Sequence, residues 1–280
     1  MIDIIITGES NSLEKTLFSI CIQTIYDKAN VIIVSNKHHS FIDDFRKKIA
    51  IQEVITKEKS IGKKRQIGYD LAKGDYVLFI NSGDVLYDVF ALNNLYKIRE
   101  KNDVIIGGIT NIEKRYSQYY LVGNLYRRKG LKSHRISFLD SDGLENGFHQ
   151  LYFMTGPKIV FSGDIIYYQN TLIEKDYHYY HSLIQDSMAS IMKAKTRSYQ
   201  PKNIAKLLYD IVITFAYVFH ERKDAFLEDL FQEFKPILEE YHSYQKYLSN
   251  EDIQYISDIN LTNRTIDGLY LEELESKNQL

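Results

Sequence analysis

The chain has 280 residues, and its 44% hydrophobic and 26% charged residues are ordinary for a globular protein. Its net charge of -2 excludes a strong field that would draw it to nucleic acid, and its single cysteine excludes a disulfide framework. There is no basic and apolar leader before the first predicted strand, so we expect a cytoplasmic protein. The low net charge leads us to expect no nucleic acid partner.

Short apolar runs that end in polar turns alternate with helical patterns in the first part of the chain. Strands are predicted over residues 4–6, 31–34 and 51–55. Asn11 and Glu14 have the spacing of a capping box, which predicts a helix with an apolar stripe along residues 13–21. A second helix is predicted over residues 62–72, and Gly74 follows it as glycine commonly follows a helix.

Residues 76–80 form the strand around which the chain is organised, an unbroken run of aromatic and aliphatic residues. Such runs are typical of strands that are buried on both faces of a parallel sheet. The alternation of strands and helices predicts an α/β, doubly wound sheet, in which ligands bind beyond the carboxyl ends of the strands. We therefore expect the polar turns after Ile6, Val34 and Ile80 to gather at one edge and bind a nucleotide.

Gly62, Arg65, Gly68 and the run from Ala72 to Phe79 lead, in a distinctive order and spacing, into the turn Asn81-Ser82-Gly83-Asp84. This arrangement resembles glycosyltransferase family 2, in which the same elements precede an acidic DxD turn. The resemblance covers roughly the first 110 residues. It implies a GT-A fold with a mixed, mostly parallel sheet, and a catalytic domain over residues 1–200.

The resemblance also implies a donor site built from the strand ends. Its candidate residues are Thr7, Glu9, Ser35, Asn36, Arg65, Asn81, Ser82, Gly83 and Asp84. Family members place one acidic residue on the nucleoside, where this chain has Ser35 or Asn36, and another on a divalent metal, where it has Gly83. We expect the adjacent Asp84 to hold Mn²⁺ or Mg²⁺ together with the diphosphate of the donor.

Three cations stand at the start of the predicted second helix, at residues 63–65. A helix N-terminus favours anions, so Arg65 is expected to assist the phosphates. Lys63 and Lys64 are interpreted as solvated charges.

An inverting transfer needs a carboxylate that removes the proton from the acceptor hydroxyl. Asp186 is our candidate, because it precedes a helix predicted over residues 188–195, as the catalytic Asp does in the family. Asp164 and Asp176 compete with it. His149 resembles a histidine of relatives with the same turn, and it is either structural or lies on the acceptor or diphosphate side.

Residues 167–181 are dense in tyrosine and histidine. Aromatic faces can pack against a sugar ring while their polar groups reach a partner, which favours an acceptor-side loop. A partly buried loop or an interface is the alternative.

From residue 201 the pattern becomes helical and predicts a C-terminal helical appendage over residues 201–280. This region could also bind a membrane surface peripherally, or pair with a second copy in a homo-oligomer.

These predictions indicate a bacterial-type, inverting glycosyltransferase. It would move a sugar from a nucleotide-diphosphate donor, a UDP-sugar, to a cell-surface glycan, polysaccharide, glycoprotein or lipid-linked acceptor. The alternative is a catalytically impaired binding or scaffold subunit, because neutral residues occupy three of the usual acidic positions.

Overall fold

The computed structural model describes residues 1–110, 115–116, 121–139, 146–170, 177–221 and 227–262. The chain divides into two compact units, Met1–Glu174 and Lys175–Leu280. The division into a catalytic domain at residues 1–200 and a helical region at residues 201–280 concerns function, and it stays a prediction.

The first unit contains one mixed sheet with helices. Within the described part of this unit the strands are β1 (Ile2–Thr7), β2 (Ala29–Ser35), β3 (Ala50–Ile55), β4 (Tyr76–Asn81), β5 (Val85–Leu86), β6 (Val104–Thr110), β7 (Arg115–Tyr116), β8 (Asn124–Arg127) and β9 (Ile159–Tyr168). The helices are α1 (Leu13–Cys21), α2 (Ile42–Arg46), α3 (Ile61–Leu71), α4 (Ala91–Lys97), α5 (Arg128–Ser133) and α6 (Asn146–Phe153).

The strands follow the order β3-β2-β1-β4-β8-β6-β9-β5, and β7 pairs with β6 outside this order. The side that holds β3, β2, β1 and β4 is parallel, whereas β8 pairs antiparallel with both of its neighbours. Thr7, at the end of β1, lies opposite Val34 on one side and Asn81 on the other. The expected doubly wound, mixed α/β sheet is therefore confirmed, and the ends of its central parallel strands are level with one another.

Continuous apolar runs allow β1 and β4 to be covered on both faces. Residues 2–6 and 77–80 are at most 2% exposed. On one face Ile4 and Ile6 belong to the same core cluster as Leu17 of α1. On the other face α3 lies so close to β1 that a Cβ on Gly68 would be 2.5 Å from Ile5 Cγ2. This close approach fixes α3 against the sheet and places its first turn at the strand ends.

The helix starts differ from the sequence prediction at α1. Its N-cap residue is Ser12, which makes no side-chain capping hydrogen bond, so the predicted cap at Asn11 is wrong. Helix α3 is capped, because the Ser60 hydroxyl accepts from the Lys63 N–H at 3.3 Å. The cap satisfies one of the free N–H groups at the helix start.

The described secondary structure of the second unit is helical. Its helices are α7 (Tyr177–Thr196), α8 (Pro201–Glu221), α9 (Leu227–Tyr244) and α10 (Asn250–Thr262), so the helical pattern that starts at residue 201 corresponds to helices α8 to α10. Phe215 of α8 and Phe234 of α9 pack with their ring centroids 4.5 Å apart, and Lys195 of α7 pairs with Glu240 of α9 at 2.6 Å. Within the described residues, no helix is both long enough and apolar enough to cross a bilayer.

Candidate functional site

The polar turns after β1, β2 and β4 meet at one edge of the sheet. The Ser82 N–H donates to the Thr7 carbonyl at 2.8 Å, which joins the turns after β4 and β1. The Asn36 N–H donates to Glu9 Oε1 at 2.7 Å, which joins the turns after β2 and β1. The three turns therefore form one connected surface, and the convergence predicted from the sequence is confirmed.

Lys64 connects two of these turns from the start of α3. Its ammonium group donates to Glu9 Oε1 at 3.1 Å and to Asn36 Oδ1 at 2.5 Å, and the residue is only 3% exposed. The interpretation of Lys64 as a solvated charge is therefore wrong, whereas its neighbour Lys63 is exposed. A buried ammonium group needs a charged partner, and the Glu9 carboxylate provides one here.

Arg65 is completely buried behind the same edge. Its Nε donates to Thr7 Oγ1 at 3.2 Å and its Nη2 donates to Asn81 Oδ1 at 2.5 Å. Burial lowers the pKa of Arg65 to about 9, against the opposing effects of Tyr167, Tyr126 and Asp84. These contacts are with the protein, so the assistance to phosphates expected from Arg65 stays a prediction.

Tyr167, at the end of β9, joins the turn after β4 from behind. Its hydroxyl accepts from the Asn81 N–H at 3.0 Å and donates to Asp84 Oδ2 at 2.6 Å. Burial, with Asp84 beside it, raises the pKa of Tyr167 well above its ordinary value, which keeps the hydroxyl as a donor. Asp84 Oδ2 also accepts from Asn81 Nδ2 at 3.1 Å, and Oδ1 accepts from the Asn170 N–H at 2.8 Å.

Sequence reasoning missed this contact of Tyr167. Residues 167–181 were expected to form one loop, but Tyr167 is a buried strand residue and Tyr177 to His181 lie in the first turns of α7. Residues 171–176 between them lie outside the described residues. No local pattern indicates that the hydroxyl of a strand tyrosine meets a turn far away in the chain.

A divalent cation at Asp84 does not fit the residues around it. The carboxylate is fully buried, and both of its oxygens already accept hydrogen bonds from protein donors. No group of three or more histidine, cysteine or acidic side chains in the described ranges is placed to hold a metal ion. Hard cations such as Mg²⁺ need several accessible oxygen ligands.

The candidate donor residues divide into a buried layer and a layer that reaches the surface. The buried members are Thr7, Ser35, Arg65, Ser82, Gly83 and Asp84. The Ser35 hydroxyl closes its own turn by donating to the Lys37 carbonyl at 2.8 Å. The members that are exposed or half-buried are Glu9, Asn36 and Asn81. One carboxylate and two amides are therefore the members of the set that reach the surface, and each of them is also hydrogen-bonded within the edge.

His149 lies in α6 with contacts of its own. It is buried, its Nδ1 is 2.9 Å from the Tyr126 hydroxyl, and its ring stacks on Phe153 at 3.9 Å between centroids. These contacts suit the structural histidine that the sequence left as one alternative. A role on the acceptor or diphosphate side stays a prediction.

Asp186 belongs to the second unit and lies in the interior of α7. The expectation that a helix begins after this residue is wrong, because α7 begins at Tyr177 and encloses it. Asp186 is 4% exposed, and its carbonyl accepts from the Ser190 hydroxyl at 2.8 Å. Its competitor Asp176 directly precedes α7 and lies outside the described residues, while Asp164 is half-buried in β9.

The sheet, with its polar edge beyond three parallel strand ends, defines a GT-A domain. The chain belongs to glycosyl transferase family 2, whose family model matches residues 2–166, more than half of the chain. It is therefore a glycosyltransferase. No curated protein matches the chain by sequence.

Solved structures share this fold at low sequence identity. S. aureus TarS 1–349 in complex with UDP-GlcNAc is 14% identical, with a TM-score of 0.64 over 84% of this chain and 80% of that one. The mannosyltransferase PcManGT from Pyrobaculum calidifontis, in complex with GDP-Man and Mn²⁺, is 12% identical, with a TM-score of 0.56 over 92% of this chain and 78% of that one. These likenesses confirm the GT-A fold.

Proposed function

We propose that this chain transfers a sugar, with inversion, from a UDP-sugar to a cell-surface glycan, polysaccharide, glycoprotein or lipid-linked acceptor. The observation that carries the proposal is the cross-linked edge, where Glu9, Asn36 and Asn81 present hydrogen-bonding groups beyond the parallel strands. TarS, which has the same fold, was solved with UDP-GlcNAc, and this supports a UDP-linked donor.

In the proposed reaction, the acceptor oxygen forms a bond to the anomeric carbon while the bond from that carbon to the diphosphate breaks. The hydroxyl proton passes to a carboxylate, and the nucleoside diphosphate leaves. We keep Asp186 as the candidate base and Asp176 as its competitor. The polar edge contributes by fixing the nucleotide, so that the two reacting atoms stay aligned. No step is assigned to a metal ion.

The proposed setting is the cytoplasm at the inner face of the cell membrane, where lipid-linked and growing surface glycans are available as acceptors. Peripheral membrane contact and self-association through the helical unit belong to the same proposal. Both rest on the sequence pattern alone, because most of the described apolar side chains of α8 and α9 are buried within the helical unit.

Donor turnover tests this function. Purified protein is incubated with UDP-GlcNAc, UDP-glucose or GDP-mannose and a cell-surface polysaccharide fraction, and products are detected by mass spectrometry. We expect a UDP-sugar to be consumed with release of UDP. Turnover of GDP-mannose alone would contradict the assigned donor.

Two matched variants test the base. Asp186→Asn and Asp176→Asn each remove one carboxylate at nearly constant shape, and the base variant should lose about a hundredfold or more in kcat. Turnover by Asp186→Asn at the wild-type rate would remove Asp186 from this role. If calorimetry shows no binding of UDP or GDP, the scaffold alternative replaces the enzyme proposal.

A further inference from the structure

The turn after β4 offers a divalent cation no accessible carboxylate. A cation that joins this turn to a diphosphate needs at least one free carboxylate oxygen from the protein. The turn contains one carboxylate, that of Asp84, which is 0% exposed. Each of its oxygens accepts a hydrogen bond, from the Tyr167 hydroxyl or the Asn170 N–H, and none of the carboxylate reaches the surface, so coordination of Mg²⁺ at about 2.0–2.1 Å would require the turn to open.

The neighbouring position cannot carry an acidic side chain on this backbone. Gly83 has a φ of +101°, which is strained for other residues, and a Cβ there would lie 2.6 Å from Ser10 Oγ. The Ser10 hydroxyl is held in the turn after β1, where it accepts from the Ser12 N–H at 3.0 Å. The space that a carboxylate at residue 83 would need is therefore filled by the preceding turn.

The donors to Asp84 join the ends of two strands that are not neighbours in the sheet. Tyr167 and Asn170 come from the end of β9, and β8 and β6 separate β9 from β4. The side-chain amide of Asn170 also donates to the Gly83 carbonyl at 3.2 Å. A buried anion that accepts hydrogen bonds from both strand ends holds these ends together. Such bonds are effective because a charge-assisted hydrogen bond is stronger than a neutral one.

The same contacts fix the orientation of Asn81. Its Oδ1 accepts from Arg65 and its Nδ2 donates to Asp84, so exchanging its two amide atoms would break both bonds. Asn81 is the half-buried residue of this turn and one of the candidate donor residues that reach the surface. Asp84 therefore acts on the candidate site through Asn81.

We propose that Asp84 is a positioning residue that clamps the ends of β4 and β9 and orients Asn81, and that nucleotide binding by this chain needs no divalent cation. The clamp stands on the geometry alone, whereas the statement about the nucleotide rests on the proposed function. Two experiments separate them.

Thermal unfolding in EDTA tests the clamp. Asp84→Asn and Tyr167→Phe each lose the same charged hydrogen bond, so each should lower Tm by roughly 4–8 °C. The Tm of the double variant should be little lower than that of the less stable single variant, because both substitutions remove the same hydrogen bond. Tyr168→Phe, on the same strand, is the matched control and should unfold with the wild type. An unchanged or raised Tm for Asp84→Asn, or full additivity, would overturn the clamp.

Calorimetry with UDP and with GDP, in EDTA and in Mn²⁺, tests cation independence. The dissociation constant of the nucleotide that binds should agree within about twofold between the two conditions. A loss of about tenfold or more in EDTA would overturn cation independence, and its disappearance in Asp84→Asn would assign the cation to Asp84. If neither nucleotide binds in either condition, the proposed function and cation independence fail together, and the unfolding experiment alone decides the clamp.

Discussion

Thr16 joins α1 to the turn after β4 through one hydroxyl. Its Oγ1 accepts from the Gly83 N–H at 2.9 Å and donates to the Asp84 carbonyl at 2.7 Å, and the side chain is fully buried. Thr16→Val keeps the size and the β-branching but removes both bonds. Each buried polar group that loses its partner costs about 1–3 kcal/mol. We therefore expect Thr16→Val to lower the free energy of unfolding by about 2–6 kcal/mol.

Urea unfolding followed by circular dichroism measures this difference. Thr16→Ser is the control, because it keeps the hydroxyl and loses one methyl group, at a cost of about 1 kcal/mol. Nucleotide affinity should fall in Thr16→Val and stay near the wild-type value in Thr16→Ser. If Thr16→Val unfolded at the wild-type urea concentration, or if Thr16→Ser lost as much stability, the hydroxyl would not be the link between helix and turn.

Gly68→Ala should lower stability by about 1–3 kcal/mol in thermal unfolding, because the clash with Ile5 outweighs the gain of about 1 kcal/mol in helix propensity. Lys64→Met should weaken nucleotide binding about tenfold in calorimetry, whereas Lys63→Met should not. Burial raises the pKa of Asp210 in α8 from 3.8 to about 6. The folded state then binds this proton more tightly, so the stability it contributes is complete below about pH 4 and is lost as the pH rises through about 6. Asp210→Asn should therefore raise stability at pH 7 by at most about 3 kcal/mol, with no difference below pH 4.

Each of these predictions has its own contrary result. A Gly68→Ala variant as stable as the wild type would mean that α3 can move away from β1 without cost. Equal effects of the two lysine variants would remove the special role of the buried one. A stability gain for Asp210→Asn that persists below pH 4 would point to packing rather than proton binding.

The parallel half of the sheet could be predicted because its signals are local. The runs within β1, β2 and β4, at residues 4–6, 31–34 and 76–80, are apolar without interruption and are followed by polar residues, which is typical of strands covered on both faces. The helical pattern from Pro201 onward is equally local, and α8 begins there. The error at the cap of α1 was a shift of a single residue.

The contacts of the site were less accessible to prediction. The carboxylate of Asp84 is a typical metal ligand, but it accepts a hydrogen bond from a tyrosine that is 83 residues away in the chain. Lys64 looked like any charged residue in a helix start, and only the position of Glu9 across the edge shows why it is buried. Asp186 was assigned to a helix start because it precedes the helical pattern of residues 188–195, as the catalytic Asp does in the family, whereas α7 continues through it.

By itself, the order of residues determined strands β1 to β4 and helices α1, α3 and α8, and that three polar turns lie together beyond parallel strands. Periodicity and chain polarity are properties of neighbouring residues, so they can be recognised along the chain. Only the tertiary structure decided which of the turn residues face outward and which are buried in hydrogen bonds that hold the turns together. That depends on hydrogen bonds between residues that are distant in sequence and close in space, and the neighbours of a residue in the sequence do not reveal such partners.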